Sequence, residues 1–483
     1  MAGWDERVVA ASFPKHNLGR PTHSAAELGP IDMEAILMGL RSRLPGELSY
    51  ALTVLSMLSM PQHDDRVTQL PIQPMLDVYL ELIELIGESA LGEGGVDAWL
   101  RDKEKAEVAE ATSRRASPVR DDHPRMSYAD LERLGRDTDL SVDDEDTSKD
   151  QTGGATDIVL AGLNIIRNFS YHHENAAVMA SPELANLLAA VTDISLGRLP
   201  GATSDHQPYS ILELARVRRE AVSIMTNLAN HFDLRRVKAP TTLAIFRLVT
   251  SFLISGWETL RLRESGYGPT ISIREVPPLA VLSIDRALEA FSRLALADHN
   301  REVLGGMVPT DELVELFASL VKLLPISTRD KEAMLSVEDY LGRVELGVMS
   351  VYSLAFLAPT AARAGMRATP GAMAVLTRLV CELSPRAPVL KQSPFGILVR
   401  RVAETLGVLN GTMTPSGNAE SMSFAAGGVE GKGWRFANEV VEPGWLASDS
   451  DRLLEAMGWG KGDGRVWQVD TPTFAELDGL FLA

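Results

Sequence analysis

Five stretches of this chain superimpose on one another: Ala51-Leu-Thr-Val-Leu-Ser-Met-Leu-Ser59, Gly162-Leu-Asn-Ile-Ile-Arg-Asn-Phe-Ser170, Ala221-Val-Ser-Ile-Met-Thr-Asn-Leu-Ala229, Ala287-Leu-Glu-Ala-Phe-Ser-Arg-Leu-Ala295 and Gly347-Val-Met-Ser-Val-Tyr-Ser-Leu-Ala355. Each opens on a small residue and continues with apolar residues at helical spacing, and a second apolar helix follows after a short polar turn. A helix pair that is apolar over most of its circumference cannot bury that surface alone. It is stable only when neighbouring copies cover both faces. The repeat therefore requires an array of helices, and it puts function on exposed surfaces instead of in a pocket.

Equivalent positions are unevenly spaced. Phe169 to Leu228 is 59 residues, Leu228 to Leu294 is 66, Leu294 to Leu354 is 60 and Leu354 to Val408 is 54. Armadillo and HEAT repeats run to roughly 40–47 residues, so each interval holds one three-helix unit plus a loop insertion. A hydrophobic content of 45% with only 6% aromatics suits a Leu/Ala/Val-rich helical array better than a strand-rich fold. The expected fold class is all-α, an armadillo/HEAT-like helical solenoid, which can reach 483 residues by adding layers without dividing into separate cores.

Along the chain, residues 1–30 read as an extended polar segment rich in Pro and Gly. Residues 31–100 hold a first armadillo-like region, with helices expected at 31–43, 47–60 and 71–86 and a break at Pro45-Gly46. Residues 101–156 carry too few apolar side chains to offset backbone ordering entropy of about 1–2 kcal/mol per residue, and are expected to be a disordered acidic insertion. Inside it, residues 126–134 have the pattern of a short helix formed on binding. Arg114-Arg-Ala-Ser117 has the arginine spacing that basophilic kinases read, which makes Ser117 a candidate phosphosite. Armadillo-like repeats occupy 157–411. Ser181-Pro182 and Ala239-Pro240 place proline near the first turn of a helix, and Asp298-His-Asn300 is expected to close one. Residues 412–483 form a Gly/Ser-rich loop followed by a Trp-rich segment with Trp434, Trp445, Trp459 and Trp467. That segment reads as a cap on the array, with Trp434 and Trp445 as candidate partner contacts.

A formal charge of −18 argues against nucleic acid as the main partner, because duplex binding draws on a basic surface. The runs Arg216-Val-Arg-Arg219, Arg235-Arg236 and Arg400-Arg401 read as solvated helical faces. The single cysteine, Cys381, excludes an intramolecular disulfide and any zinc site built on several cysteines, and reads as a small buried apolar residue. The N-terminus lacks a basic-plus-apolar signal pattern, and no apolar run reaches the ~18 residues of a membrane span, so a soluble intracellular protein is expected.

Searches for chemistry fail on detail. Gly427-Gly-Val-Glu-Gly-Lys-Gly433 lacks the first glycine of a phosphate loop, where Ala426 stands, and the hydroxyl residue after lysine, where Gly433 stands. His172-His173-Glu174 lacks the i, i+4 spacing of a zinc pair and reads as a turn. No nucleophile elbow, His-Glu-x-x-His or dinucleotide fingerprint is present, so no enzyme, cofactor or metal is expected. Asn168 and Asn227 share one repeat position, while the other repeats carry Met57, Arg293 and Ser353 there. An asparagine at this place pairs either with the backbone of an extended ligand or with neighbouring helices inside the array.

Two sets of residues resemble a particular family. Residues 29–59, beginning Gly-Pro-Ile-Asp-Met-Glu-Ala-Ile-Leu-Met-Gly-Leu and closing on the first repeat, resemble the start of the helical core in the ARID-bearing scaffold subunits of SWI/SNF-type chromatin remodellers. Residues 157–170 after an acidic linker, followed by 219–230, look like that family's paired signatures. The resemblance covers about residues 25–410 and rests on largely generic armadillo motifs. It implies a nuclear, non-catalytic hub on which the helical segment of the ATPase and other core subunits assemble. Residues 1–30 hold nothing that resembles the family's ARID module, so DNA binding is not carried over. The competing expectation is a cytoplasmic or shuttling armadillo adaptor that holds an extended peptide.

Overall fold

The computed structural model describes residues 31–60, 71–113, 127–131, 153–195, 209–254, 278–325, 338–383 and 395–411. The segment 1–30, Ser117 and all of 412–483, with Trp434 and Trp445, lie outside the described residues. The described residues form seventeen α-helices, two 3-10 turns and no strand.

The first helix, α1 (Met33–Ser42), starts where the Asp32 carboxylate accepts the Glu34 backbone N–H at 2.9 Å, and ends at Arg43, whose left-handed backbone turns the chain. Pro45 then opens α2 (Pro45–Ser59), because proline lacks only an N–H that has no helical partner at a first turn. A 3-10 turn (Gln73–Met75) leads into α3 (Leu76–Leu91), and Gly92 at φ 82° separates it from α4 (Gly95–Ser113). After α5, of which residues 128–131 are described, comes α6 (Gly153–Ser170).

Four units follow, each consisting of a short first piece and two longer helices. The first is α7 (His173–Met179), α8 (Pro182–Ser195) and α9 (Ile211–Leu228). The second uses the 3-10 turn Leu234–Arg236 as its short piece before α10 (Ala239–Leu253) and α11 (Pro278–Leu294). The third is α12 (Asp298–Met307), α13 (Thr310–Leu323) and α14 (Glu338–Leu357), and the fourth is α15 (Thr360–Arg367), α16 (Ala372–Leu383) and α17 (Gly396–Asn410).

The repeated motifs fall on α2, α6, α9, α11 and α14, and each of these packs on the next, with α17 following α14. Helices α3, α8, α10 and α13 are likewise neighbours in sequence order. The small residue that opens each motif sits where these helices meet. A Cβ on Gly162 would stand 2.5 Å from Ile86 Cγ1 on α3, and one on Gly347 would stand 3.2 Å from Leu324 Cδ2. Ala51, Ala221 and Ala287 are fully buried at the same position. Leu228, Leu294 and Leu354, seven positions further on, are also fully buried, each contributing about 2 kcal/mol of transfer free energy.

Two expectations need correcting. Residues 101–156 are not disordered throughout, because α4 runs to Ser113, α5 is buried and α6 begins at Gly153. Tertiary partners supply the stability that local composition lacks. Trp99 on α4 is buried and donates from Nε1 to Asp193 on α8 at 3.0 Å, and Lys103 pairs with the same carboxylate. On α5, Leu131 is fully buried and Tyr128 stacks on Phe252 with centroids 4.5 Å apart. Second, Asp298-His-Asn300 opens α12 instead of closing a helix, since Leu294 has already ended α11.

Candidate functional site

The candidate site is the row of motif helices, because both predicted asparagines, Asn168 and Asn227, lie on it. Side-chain bonds between successive members show that the helices run parallel and nearly in register. Asn168 Nδ2 donates to Ser59 Oγ at 3.2 Å, and one unit later Asn227 Nδ2 donates to Ser170 Oγ at 2.7 Å. Arg293, at the same motif position, reaches back from Nη1 to the Thr226 carbonyl at 3.0 Å. The Ser292 and Ser350 hydroxyls bond at 3.0 Å between α11 and α14. Asn168 is buried as well, and its amide is shared with Asn164 and with Arg167. Both predicted asparagines thus occupy one structural position, where they join neighbouring motif helices.

Charged pairs extend these bridges. Arg167 Nη1 donates to Glu220 Oε1 at 2.9 Å, and Arg343 grips Asp285 from α14 to α11 at 2.5 and 3.0 Å. Burial pushes the Glu220 carboxyl up from its usual range, opposed by the attraction of Arg167, Arg219 and Arg286. On α17, Arg400 and Arg401 both hold Glu404, at 3.0 and 2.7 Å, and Arg401 lies 4.6 Å from the Tyr352 ring centroid. Burial, assisted by the Glu404 charge, raises the Tyr352 phenol to about 12.

The basic run on α9 is not a uniformly solvated face. Arg216 is exposed, but Arg218 is fully buried, donating from Nε to Ser195 Oγ at 3.0 Å and from Nη2 to the Ser195 carbonyl. Burial pushes its guanidinium down to about 10, so it remains charged at neutral pH. Helical periodicity explains the split, because residues 216 and 218 face directions about 200° apart.

Sequence reasoning missed a second repeated device. Asn175 on α7 accepts the Ile72 N–H at 2.8 Å and donates to the Phe169 carbonyl at 3.1 Å. Asn300 on α12 accepts the Leu234 N–H at 2.9 Å and donates to the carbonyls of Phe232 and Leu294 at 2.9 and 3.1 Å. Each asparagine stands six residues past a buried motif residue, Phe169 or Leu294, and that shared offset is the signal that could have found them. In the last unit Arg363 does the corresponding work, donating to the carbonyls of Ala355 and Phe356 at 3.0 and 3.1 Å. His172 and His173 sit at the start of α7, as expected of a turn, with His173 6.1 Å from His231 between ring centroids.

Among the described residues no group of three or more His, Cys, Asp or Glu side chains converges as a metal site, and no single helix is long and apolar enough to cross a membrane. No protein-family model matches the chain, and comparison with curated proteins found no match.

Proposed function

We propose that this chain is an armadillo-like helical solenoid that works as a non-catalytic scaffold for other proteins. The observation that carries the reading is the serial packing of α2, α6, α9, α11, α14 and α17, in which each unit is completed by its neighbours. More specifically, the resemblance carried by residues 29–59, 157–170 and 219–230 favours a scaffold subunit of a SWI/SNF-type remodelling complex in the nucleus, organising the helical segment of the ATPase and other core subunits. A peptide-holding adaptor would need free amides along the motif helices, whereas those of Asn168 and Asn227 donate to Ser59 and Ser170.

Affinity purification of the tagged full-length protein from its native cells, followed by mass spectrometry, tests the assignment. A remodelling ATPase should co-purify in stoichiometric amount, with crosslinks from its helical segment to the array. Its absence from replicate purifications that retain other stable partners would overturn the remodeller reading while leaving the scaffold reading to those partners.

A further inference from the structure

On α9, Arg216, Arg219, Glu220 and Asn227 are exposed or half-buried, and at helical pitch they lie within about 100° of one another, on one face. The equivalent places on α11, 66 residues further on, hold Leu282, Asp285, Arg286 and Arg293, again exposed or half-buried. Where α6, α9 and α11 meet, guanidiniums outnumber carboxylates. Arg167 of α6 donates to Glu220 at 2.9 Å, and Arg286 of α11 donates to Ser223, one turn from Arg219 and Glu220, at 2.6 Å. Arg167, Arg219 and Arg286 all act on the single Glu220 carboxylate. The other acids of the α11 face are matched, Asp285 by Arg343 and Glu289 by Arg293. Asp157 stands on α6 at the place of Arg216. Arg167, Arg216, Arg219 and Arg286 therefore face Asp157 and Glu220, an excess of two positive charges in a chain whose formal charge is −18.

Charge and shape select the occupant. Arg218 is consumed by Ser195 in the core, but among the described residues the side chains of Arg216 and Arg219 make no hydrogen bond or ion pair. The face is open, since Arg216 is exposed and Leu282 beside it is 44% exposed. A guanidinium presents a planar fork that fits a carboxylate with two parallel hydrogen bonds, so unpaired arginines gathered on an open face suit an acidic ligand. A nucleic-acid duplex would also press its phosphates on the acidic remainder of the chain, whereas a single peptide strand touches the cationic face alone. The spacing fits such a strand: neighbouring helix axes lie about 8–10 Å apart, and an extended polyproline-type peptide repeats a face every three residues, about 9 Å.

We propose that the face formed by α6, α9 and α11 binds an extended acidic segment of a partner protein, with carboxylates on Arg216, Arg219 and Arg286 and an apolar side chain against Leu282. Arg167 neutralises Glu220, which keeps that buried carboxylate from repelling the ligand. The amides of Asn168 and Asn227 take no part. This inference rests on the scaffold reading and gives it a partner chemistry, but it does not depend on the remodeller assignment.

Fluorescence anisotropy with the full-length protein and a fluorescein-labelled glutamate-rich peptide tests it. The peptide should bind saturably, and more weakly as salt screens the charges. Arg216→Ser/Arg219→Ser should keep its helical circular dichroism and bind about five-fold more weakly, as expected for two exposed charge pairs. Arg235→Ser/Arg236→Ser removes the same charge from an exposed turn elsewhere and should bind as the parent does. Absence of saturable binding by the parent, equal weakening in both variants, or stronger competition by a duplex oligonucleotide than by unlabelled peptide would overturn the proposal. Affinity purification with the same variants separates this failure from that of the scaffold reading. Loss of a partner from the Arg216/Arg219 variant alone supports the acidic-segment site, whereas full retention of every partner by both variants removes the site and leaves the scaffold reading standing.

Discussion

Two adjacent glycines on α12 show how far a residue's role depends on what faces it. A Cβ on Gly305 would meet the Leu357 carbonyl oxygen at 2.2 Å, whereas one on Gly306 would meet nothing within 4 Å. Gly305→Ala should therefore lower stability by about 1–3 kcal/mol through overpacking against backbone. Gly306→Ala should raise it by about 0.5–1 kcal/mol, because alanine is the better helix former. Denaturant midpoints of the two variants check this, and equal shifts would show that α12 does not pack on the end of α14 as described. Asp233 gives a pH-dependent case. Its hydrogen bonds from Arg235 hold the carboxyl down at about 2. A depressed carboxyl stabilises the folded state above its unfolded pKa and loses that contribution as pH falls through the folded value, here from about 4 to about 2. Because the group lies near the surface, Asp233→Asn should cost less than about 1 kcal/mol at pH 7. The difference from the parent protein should vanish near pH 2 in urea titrations.

At the scale of elements, the units are held by clips that span from one short helix to the preceding unit. Replacing Asn300 by Ala leaves the Leu234 N–H and two carbonyls without their buried partner and should cost about 2–3 kcal/mol. Asn175→Ala should cost a similar amount through Ile72 and Phe169. The two clips share no partner, so the double variant should be additive within about 0.5 kcal/mol by chemical denaturation, and a large shortfall would mean the units do not respond independently. Most helices were legible beforehand from apolar periodicity, and Pro182 and Pro240 marked helix starts where expected. Helix α4 was not, because its charged sequence is stabilised by Asp193 of α8, which lies 94 residues from Trp99. Asp298 was misread because a short polar stretch fits a helix start as well as a stop, and only the end of α11 at Leu294 decides between them.

For the molecule as a whole, burial of phenols along the array couples alkaline pH to unfolding. Tyr209 and Tyr352 are raised to about 12, chiefly by burial, and Tyr79, which donates to the Met179 carbonyl at 3.0 Å, is pushed up further. A phenol whose folded pKa lies above its unfolded value contributes stability that is complete below about pH 10 and lost as pH rises towards 12. An ultraviolet phenolate titration followed alongside circular dichroism should show these tyrosines ionising together with the loss of helix, and Tyr352→Phe should shift that loss to higher pH. Phenolate appearing in full while helix content is unchanged would contradict their burial.

The sequence by itself determined that the chain is helical, that its helices recur, and where the motif helices lie. Small residues and apolar side chains at helical spacing can be satisfied only by burial between neighbours of the same kind, and that requirement is written locally. The roles of individual polar residues were decided by tertiary structure alone. Asn168 and Asn227 became bridges to Ser59 and Ser170 because parallel packing brings a donor of one helix beside an acceptor of the previous one. Arg218 and Arg216, two residues apart, were sent to the core and to solvent by the pitch of α9 and by the position of Ser195 beside it. Hydrogen bonds and desolvation depend on partners distant in sequence, so the repeat could announce the array but not which of its side chains would be consumed in building it.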